Sequence, residues 1–180
     1  MRIIAGAAKG RRLKGPPGDS TRPMMDRVKE AIFSSLGSAV NGARVLDLYA
    51  GSGSLGLEAL SRGAESATFV EWRRDVARVL RENVDTVALG GVVVPEKVED
   101  HLKKPGARVD LAFVDPPYDL ALPSVEQVLG LLTRRLVDGA IVVLHRRVGS
   151  GEPALPPGLE VAGRHRYGDA EVTMLTKEDR

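Results

Sequence analysis

After residue 44 the chain alternates between short apolar segments and amphipathic segments of helical period. Apolar runs typical of buried strands occur at residues 45–49, 67–70, 92–94, 109–114 and 141–144. Helical patterns separate them at residues 56–62, 75–87 and 124–136, with a short helix near residue 100. Strands that alternate with helices form a parallel sheet covered on both faces. Two further strand candidates, residues 159–162 and 171–175, are too close together for a crossover helix, so we expect the last strand to run antiparallel.

The N-terminal region differs in charge from the rest of the chain. Its first thirty residues hold eight basic and three acidic side chains, a net charge of +5, whereas the remainder has a net charge of −3. It contains extended candidates at residues 2–5 and 11–14, a turn-rich segment at 14–18 and an amphipathic helix at 25–36. We therefore predict a seven-stranded α/β domain over residues 23–180, preceded by a small basic extension over residues 1–22. Such an extension favours a polyanion partner such as nucleic acid, and a solvated tail that aids solubility is the alternative.

Composition excludes several classes of protein. A length of 180 residues fits one ordinary domain. The chain has no Cys, which excludes disulfides, Cys-ligated zinc or iron–sulfur centres and a thiol nucleophile, and it is compatible with a reducing cytoplasm. No apolar run approaches the length of a membrane-spanning helix, and no secretory signal is visible. An aromatic content of 4% disfavours a single-strand binder built from stacking platforms.

A glycine-rich loop follows the first predicted strand of the domain. Residues 51–56 match the pattern G-x-G-x-x-G, placed between a strand and a helix. Glu71 lies twenty residues after Gly51, at the end of the next strand, where a carboxylate can accept both hydroxyls of a ribose. This arrangement fits a dinucleotide site as well as an adenosyl site. A purely structural turn between strand and helix is the alternative.

Asp47 lies inside the first strand, four residues before the glycine loop. A buried carboxylate is costly unless it has a partner, and beside a pyrophosphate it would repel the ligand. Beside the ammonium and sulfonium groups of S-adenosylmethionine it would attract the ligand. Asp47 therefore favours S-adenosylmethionine, and an Asp that caps nearby loop amides is the alternative.

The sequence Asp115-Pro116-Pro117-Tyr118 follows the fourth strand, and we call it the DPPY tetrad. Ligands of open α/β sheets bind at the carboxyl ends of the strands, so the tetrad should lie beside the glycine loop. A carboxylate and a backbone carbonyl can accept the two N–H groups of an exocyclic amine, while the aromatic ring stacks on a flat base. The tetrad resembles the signature of methyltransferases that act on planar amino groups. A Pro-Pro turn with a core Tyr is the alternative.

The order of these motifs resembles class I S-adenosylmethionine-dependent methyltransferases, which have a Rossmann-like fold. The N-terminal sequence narrows the resemblance to the RsmD-type family, which methylates the exocyclic N2 of a guanine in 16S ribosomal RNA. Four N-terminal segments carry it, residues 2–6, 9–11, 21–23 and 26–30, together with the long match at residues 47–64. The resemblance covers nearly the whole chain and weakens after about residue 144.

The resemblance implies a role for each matching residue. The catalytic set is Asp115, Pro116, Pro117 and Tyr118. The implied cofactor is S-adenosylmethionine, held by Asp47, Tyr49, Gly51, Ser52, Gly53, Glu71, Trp72 and Asp100. Asp100 would receive the adenine amino group, and a helix N-cap is its alternative role. No metal is expected, and His101, His145 and His165 are predicted to have surface or packing roles.

The implied partner is 16S ribosomal RNA within an assembling small subunit, in the cytoplasm, with no membrane involved. The RNA-binding candidates are the basic residues Arg2, Lys9, Arg11, Arg12, Arg22 and Arg27, and the same residues would also bind DNA without sequence preference. Two positions depart from the family pattern. Met24 replaces the usual Thr, and the strand at 141–144, which usually ends in an acid, is followed by His145 and two arginines.

Three other functions remain open at this point. A DNA or protein-amide methyltransferase could use the same tetrad, and only the N-terminal resemblance argues against it. An NAD-dependent oxidoreductase would explain the glycine loop but neither Asp47 nor the tetrad. A non-catalytic RNA-binding protein of ribosome assembly could retain the pocket without turning over a substrate.

Overall fold

The computed structural model describes residues 1–16 and 26–178. Its strands form one seven-stranded sheet and are β1 Arg44–Leu48, β2 Ser66–Val70, β3 Val92–Val94, β4 Val109–Val114, β5 Leu136–Arg147, β6 Leu159–Tyr167 and β7 Ala170–Lys177. The strand order is β3-β2-β1-β4-β5-β7-β6. Strands β1 to β5 pair in parallel, and β7 is antiparallel to both of its neighbours. The predicted sheet, with its antiparallel last strand, is confirmed.

Helices cover both faces of this sheet. They are α1 Asp26–Leu36, α2 Ser54–Ser61, α3 Arg74–Val87, α4 Val98–Lys103 and α5 Leu122–Leu132, with 3-10 turns at Gly37–Val40 and Thr133–Arg135. Alternate residues of each strand point to opposite faces, so Val45 and Leu46 of β1 enter different apolar layers. One layer contains α1, α2 and α3, and the other contains α4 and α5. Within the described residues, no helix combines the length and the apolar character that crossing a bilayer requires.

The strand order reverses between β1 and β4. Beside β1 the chain adds β2 and β3 in one direction, and beside β4 it adds β5 in the other. At such a switch point the loops leaving adjacent strands diverge and open a crevice at their carboxyl ends. The glycine loop follows β1 and the DPPY tetrad follows β4, so the topology brings both to this crevice.

The first fourteen residues form an N-terminal hairpin that packs on the domain. Arg2 and Arg12 form an antiparallel bridge, and Ile3, Ala8 and Leu13 are buried in the apolar layer of α1 and α2. The two extended candidates thus form a hairpin with one bridge rather than strands of the sheet. The predicted domain boundary at residue 22 lies outside the described residues, as do Arg22 and Met24.

The predicted boundaries between α5 and β5 are wrong, and β6 continues to Tyr167, beyond its predicted end at residue 162. The helical pattern over residues 124–136 ends in the structure at Leu132, and β5 begins at Leu136, well before the predicted strand at 141–144. The guanidinium of Arg135 donates to the carbonyl oxygens of Ala107 (3.1 Å) and Lys104 (3.4 Å). This tertiary contact fixes the turn between helix and strand, and a local periodicity cannot reveal it.

Candidate active site

A cleft of about 560 Å³ opens at the carboxyl ends of β1, β2 and β4. This volume lies within the range of small-molecule sites. Backbone and side chains of three segments line it: the glycine loop after β1, the residues that follow β2, and the DPPY tetrad after β4. The lining residues that carry the argument are Asp47, Tyr49, Gly51, Ser52, Glu71, Trp72, Asp115, Pro116, Pro117 and Tyr118, together with Met1 from the N-terminal hairpin.

The glycine loop turns sharply at the end of β1. Tyr49 has a φ of 59°, a left-handed conformation that non-glycine residues rarely adopt. Gly53 has a φ of 79°, and a Cβ at this position would overlap the side chain of Leu80 on α3. Glycine is therefore required at residue 53 for both conformation and space. The turn delivers the chain into α2 and leaves the backbone of residues 49–52 facing the cleft.

Asp47 is buried in the cleft wall, with 2% of its surface exposed. Its Oδ2 accepts a hydrogen bond of 2.9 Å from the backbone N–H of Gly56. Burial raises the pKa of this carboxyl well above its ordinary value, and the nearby charges of Asp115 and Glu71 raise it further. Asp47 thus caps an amide in the first turn of α2, close to the structural alternative of an Asp that caps loop amides, and with Glu71 and Asp115 it forms a group of acids in the cleft lining. Such a group favours a cationic ligand.

Glu71 follows β2 and is held by backbone amides. Its Oε2 accepts from the N–H of Gly51 (3.1 Å) and its Oε1 accepts from the N–H of Arg73 (2.9 Å). These bonds fix the carboxylate at the mouth of the glycine loop. Trp72 is next along the chain and is 56% exposed, so its ring presents an unburied aromatic surface to the cleft. A fixed carboxylate beside an exposed ring suits a nucleoside.

The DPPY tetrad begins where β4 ends. The N–H of Asp115 donates to the carbonyl of Leu48 (3.4 Å), which ties the start of the tetrad to β1. Pro116 is buried, whereas Tyr118 is 44% exposed, which excludes a core role for this ring. Asp115 Oδ1 lies 2.7 Å from Nδ1 of His145 on β5. The tetrad therefore offers a carboxylate, a rigid turn and an accessible ring to one ligand.

Comparison with known proteins agrees with this geometry. A family model described as Conserved hypothetical protein 95 matches residues 1–176. The Escherichia coli K12 protein Ribosomal RNA small subunit methyltransferase D is 38% identical over 175 residues, which cover 93% of this chain and 87% of that protein. Bacillus subtilis YlbH, named as a candidate rRNA methyltransferase, is 39% identical over an alignment of 186 positions. The alignment covers 98% of this chain and 99% of that protein. This chain belongs to the RsmD family of methyltransferases.

A solved structure supports the same assignment. The Escherichia coli protein yhhF, described as a candidate methyltransferase, superposes with a TM-score of 0.89 at 35% identity and covers 100% of this chain and 99% of its own. Membership of the RsmD family makes this chain an S-adenosylmethionine-dependent methyltransferase. The cleft fits that cofactor, because Asp47, Glu71 and Asp115 line the space in which a sulfonium and an ammonium would lie. The hydroxyl of Tyr49 is also buried there without a hydrogen-bond partner among the described residues.

The structure brings most of the predicted cofactor residues of this RsmD-family protein together, although their individual roles stay predictions. Gly53 lies behind the cleft wall, where it shapes the turn. Asp100 is the exception, because it is exposed on α4, lies 3.8 Å from Lys103 and is not among the residues that line the cleft. It is not the N-cap of α4 either, since Lys97 holds that position. The acid of α4 closer to the cleft is Glu99, whose charge raises the pKa of Tyr49 in addition to the larger effect of burial.

Five of the six predicted RNA-binding residues belong to the described part of the chain, and they lie outside the cleft, on the N-terminal hairpin and α1. Lys9, Arg11, Arg12 and Arg27 are exposed, as is Arg2, which pairs with Asp26 at 3.4 Å. Arg11 also donates to the carbonyl of Thr86 on α3. The basic residues are thus displayed on a docked hairpin rather than on a free tail.

Sequence reasoning missed His145, for which it predicted only a surface or packing role. The residue is buried and contacts Asp115, and its ring meets Tyr118 edge-on with centroids 6.1 Å apart. The signal was available: Val114 of β4 pairs with Leu144 of β5, so the next residue of each strand should be a neighbour. The other two histidines lie elsewhere, His101 beside Glu96 (2.9 Å) and His165 stacked on Tyr167. Among the described residues, no group of three or more His, Cys, Asp or Glu could hold a metal ion.

Proposed function

We propose that this protein transfers a methyl group from S-adenosylmethionine to the exocyclic N2 of a guanine in 16S ribosomal RNA. The observation that carries the proposal is that the DPPY tetrad and the glycine loop open onto one cleft. The small-subunit rRNA as substrate is supported by the Escherichia coli relative, which is named Ribosomal RNA small subunit methyltransferase D and aligns with 93% of this chain. The same relationship favours the cytoplasm and an assembling small subunit as the setting.

The acceptor amine is held by the tetrad. An exocyclic amine on a purine is a weak nucleophile because its lone pair is delocalised into the ring. The Asp115 carboxylate and the Pro116 carbonyl accept its two N–H groups and thereby direct the lone pair out of the plane, while Tyr118 stacks on the base. The guanine must first leave its RNA stack to enter the cleft. Catalysis then depends on the proximity and orientation of the reacting groups and on electrostatic stabilisation by the polar groups of the site.

The residues on the other side of the cleft would hold the cofactor. When bound, S-adenosylmethionine would supply the methyl group from its sulfonium. Asp47 and the backbone of the glycine loop would hold its methionine part, Glu71 would accept its ribose hydroxyls, and Trp72 would offer its ring to the adenine. Tyr49 has a buried hydroxyl that lacks a partner in the described chain and that a polar cofactor atom would satisfy.

The basic hairpin binds the RNA backbone in this proposal. Its exposed cations contact phosphates, which position the substrate without reading its sequence. They would also bind duplex DNA weakly, so affinity for RNA alone does not identify the substrate.

Methyl transfer tests the proposal directly. Tritiated S-adenosylmethionine is incubated with small ribosomal subunits, free 16S RNA, duplex DNA and a protein mixture, and the labelled product is digested for nucleoside analysis. We expect N2-methylguanosine from the ribosomal substrates. Label in DNA or in protein amides would assign the tetrad to another acceptor, and no label with intact cofactor binding would favour a non-catalytic role in ribosome assembly.

Replacement of the carboxylate provides the matched control. Asp115→Ala should lower kcat at least ~10²-fold, the scale seen when one preorganised polar contact is removed. Asp119→Ala changes the adjacent acid at the cleft edge and should leave most of the activity intact. Near-normal turnover by Asp115→Ala would refute the role given to the tetrad.

A further inference from the structure

His145 lies in β5, one residue beyond the last residue of that strand that pairs with β4. The parallel register places Val114 beside Leu144, so Asp115 and His145 are the first residues past that pair. Nδ1 of His145 lies 2.7 Å from Oδ1 of Asp115. A carboxylate can only accept a hydrogen bond, so Nδ1 carries the proton and donates it. The contact is therefore built by two adjacent strands rather than by a flexible loop.

Within the described residues, Asp115 is the hydrogen-bond partner of the imidazole. Its Nε2 is buried and has no hydrogen-bond partner in the described part of the chain. A buried polar atom without a partner is costly, and it indicates that the ring is held by its Nδ1 contact and not by a wider polar network. Tyr118, the last residue of the tetrad, meets the edge of the same ring.

The second oxygen of Asp115 remains available. No described residue forms a hydrogen bond with Oδ2, and the Asp115 side chain is partly exposed to the cleft. With Oδ1 engaged by His145, rotation of the carboxylate about its χ2 angle is restricted, and Oδ2 is left for a ligand. A planar amine bound to Oδ2 would therefore meet an acceptor whose direction is already set.

We propose that His145 is a positioning residue for methyl transfer, which holds Asp115 in the rotation that accepts the substrate amine. This inference rests on the proposed function, because it assigns Asp115 to the acceptor amine. His145 does not touch the amine itself. Its effect reaches the reaction only through the orientation of Asp115, and misplacement of a reacting group by about 1 Å can cost ~10²-fold in rate.

A pair of substitutions at residue 145 separates orientation from packing. His145→Leu keeps the apolar bulk and removes the donor, whereas His145→Asn places an amide N–H near the position of Nδ1. We expect His145→Leu to lower kcat at least ~10-fold with little change in KM for RNA. His145→Asn should recover most of that loss. His165→Leu makes the same chemical change at an exposed site on β6 and should be neutral.

A double-mutant cycle with Asp115→Ala tests whether His145 acts through Asp115. In the Asp115→Ala background, His145→Leu should cause no further loss of kcat. Equal losses in both backgrounds would overturn the proposal, as would equal activity of His145→Leu and the parent protein. Equal loss in His145→Leu and His145→Asn would reduce the residue to a packing role and likewise overturn it.

Two measurements keep this result separate from the proposed function. Trp72 is the one tryptophan of the chain and lines the cleft, so its fluorescence during titration with S-adenosylhomocysteine reports cofactor binding in every variant. Failure of the proposed function would appear as a parent protein that binds this probe and methylates no RNA. The same cycle measured on thermal stability needs no substrate: strictly additive effects of the two substitutions would then overturn the coupling between His145 and Asp115.

Discussion

Asp47 has opposite effects on the stability of the free protein and on its affinity for a cationic ligand. Its carboxylate is buried, receives one backbone hydrogen bond and faces two further acids across the cleft. Burial and the two acids destabilise an ionised carboxylate in the absence of a cation, and the hydrogen bond from Gly56 offsets this only in part. The residue therefore lowers the stability of the free protein and strengthens its affinity for a positively charged ligand, a balance typical of binding sites.

Asp47→Asn should separate the two effects. The amide oxygen can still accept from Gly56, while the buried charge disappears, so we expect a melting temperature higher by several degrees at neutral pH. Affinity for S-adenosylmethionine should fall at least ~10-fold, because a cation in the cleft would lose one of the acids that line it. Differential scanning fluorimetry and Trp72 titration measure the two quantities. Asp85→Asn, an exposed change on α3, should alter neither. A lower melting temperature for Asp47→Asn would contradict this account.

His145 gives the site a pH-dependent contribution to stability. Burial lowers the pKa of the imidazole, but the hydrogen bond to Asp115 and the charges of Asp115 and Asp169 more than offset it, so the pKa lies above its ordinary value. A His whose pKa is raised on folding stabilises the protein fully below the unfolded pKa of about 6.5. That contribution is lost as pH rises through the raised value.

The expected measurement is a difference between two proteins. The free energy of unfolding of the parent minus that of His145→Asn, obtained from urea titrations, should be largest near pH 6 and should decline toward pH 9. Other titrating groups largely cancel in this difference because both proteins share them. A difference that stays constant or grows with pH would show that the charged imidazole does not stabilise the fold.

At the scale of single residues, the sequence predicted those whose position follows from strand ends. Asp47, Glu71 and Asp115 each lie at or just beyond a buried strand, and parallel strands bring such positions to one edge. His145 follows the last residue of β5 that pairs with β4, so its position follows in the same way. The sequence prediction for His145 did not use this pairing and therefore missed its contact with Asp115. Asp100 was assigned from the resemblance, and the short helix α4 turns it to solvent.

At the scale of elements, the strands of the parallel sheet were predictable, whereas the end of α5 and the N-terminal hairpin were not. Strands β1 to β4 are short segments that consist mostly of apolar residues, and such segments bounded by loops predict buried strands. The end of α5 was not predictable, because Leu132 and Leu136 continue a helical spacing while Arg135 bonds to carbonyls far away in the chain. The N-terminal hairpin was also missed as a packed element, since its three buried residues are spaced among charged ones.

The hairpin is held to α1 and α2 by a buried ion pair. Lys29 and Glu58 are both fully buried, with Nζ 3.4 Å from Oε2, and Nζ also donates to the carbonyl of Arg2 at 2.5 Å. Glu58 in turn accepts from the N–H groups of Ile4 (2.8 Å) and Ala5 (3.0 Å). One carboxylate thus joins the helix α2, the helix α1 and the hairpin.

Lys29→Met should therefore be strongly destabilising. The substitution leaves Glu58 buried with one cation fewer, and breaking a buried pair costs about 3–5 kcal/mol. Urea denaturation measures the loss. Lys103→Met removes the exposed pair with Asp100 and should cost no more than about 1 kcal/mol. Comparable losses in the two variants would show that the buried pair does not anchor the hairpin.

The distribution of charge over the whole molecule separates substrate binding from chemistry. Four acids line the cleft, whereas the N-terminal hairpin displays its cations on the outer surface. Deletion of residues 1–14 would not test RNA binding cleanly, because it also removes three buried apolar residues and the partners of Lys29 and Glu58. Charge substitutions on the intact hairpin avoid this loss of structure.

Lys9 and Arg12 suit this experiment, because both are exposed and neither forms an ion pair among the described residues. Each phosphate contact to single-stranded RNA contributes about 0.7 to the slope of log K against log salt. The double variant Lys9→Gln and Arg12→Gln should therefore bind 16S RNA with a slope smaller by about 1.4, while Trp72 titration with S-adenosylhomocysteine stays unchanged. Arg108→Gln with Arg134→Gln removes the same charge from exposed positions before β4 and beside β5, and it serves as the control for net charge. If both double variants reduce the slope equally, the RNA responds to the total charge of the protein. A reduction confined to the hairpin variant would place RNA phosphates on the hairpin surface. From there the backbone of the substrate can pass the cleft that receives its base.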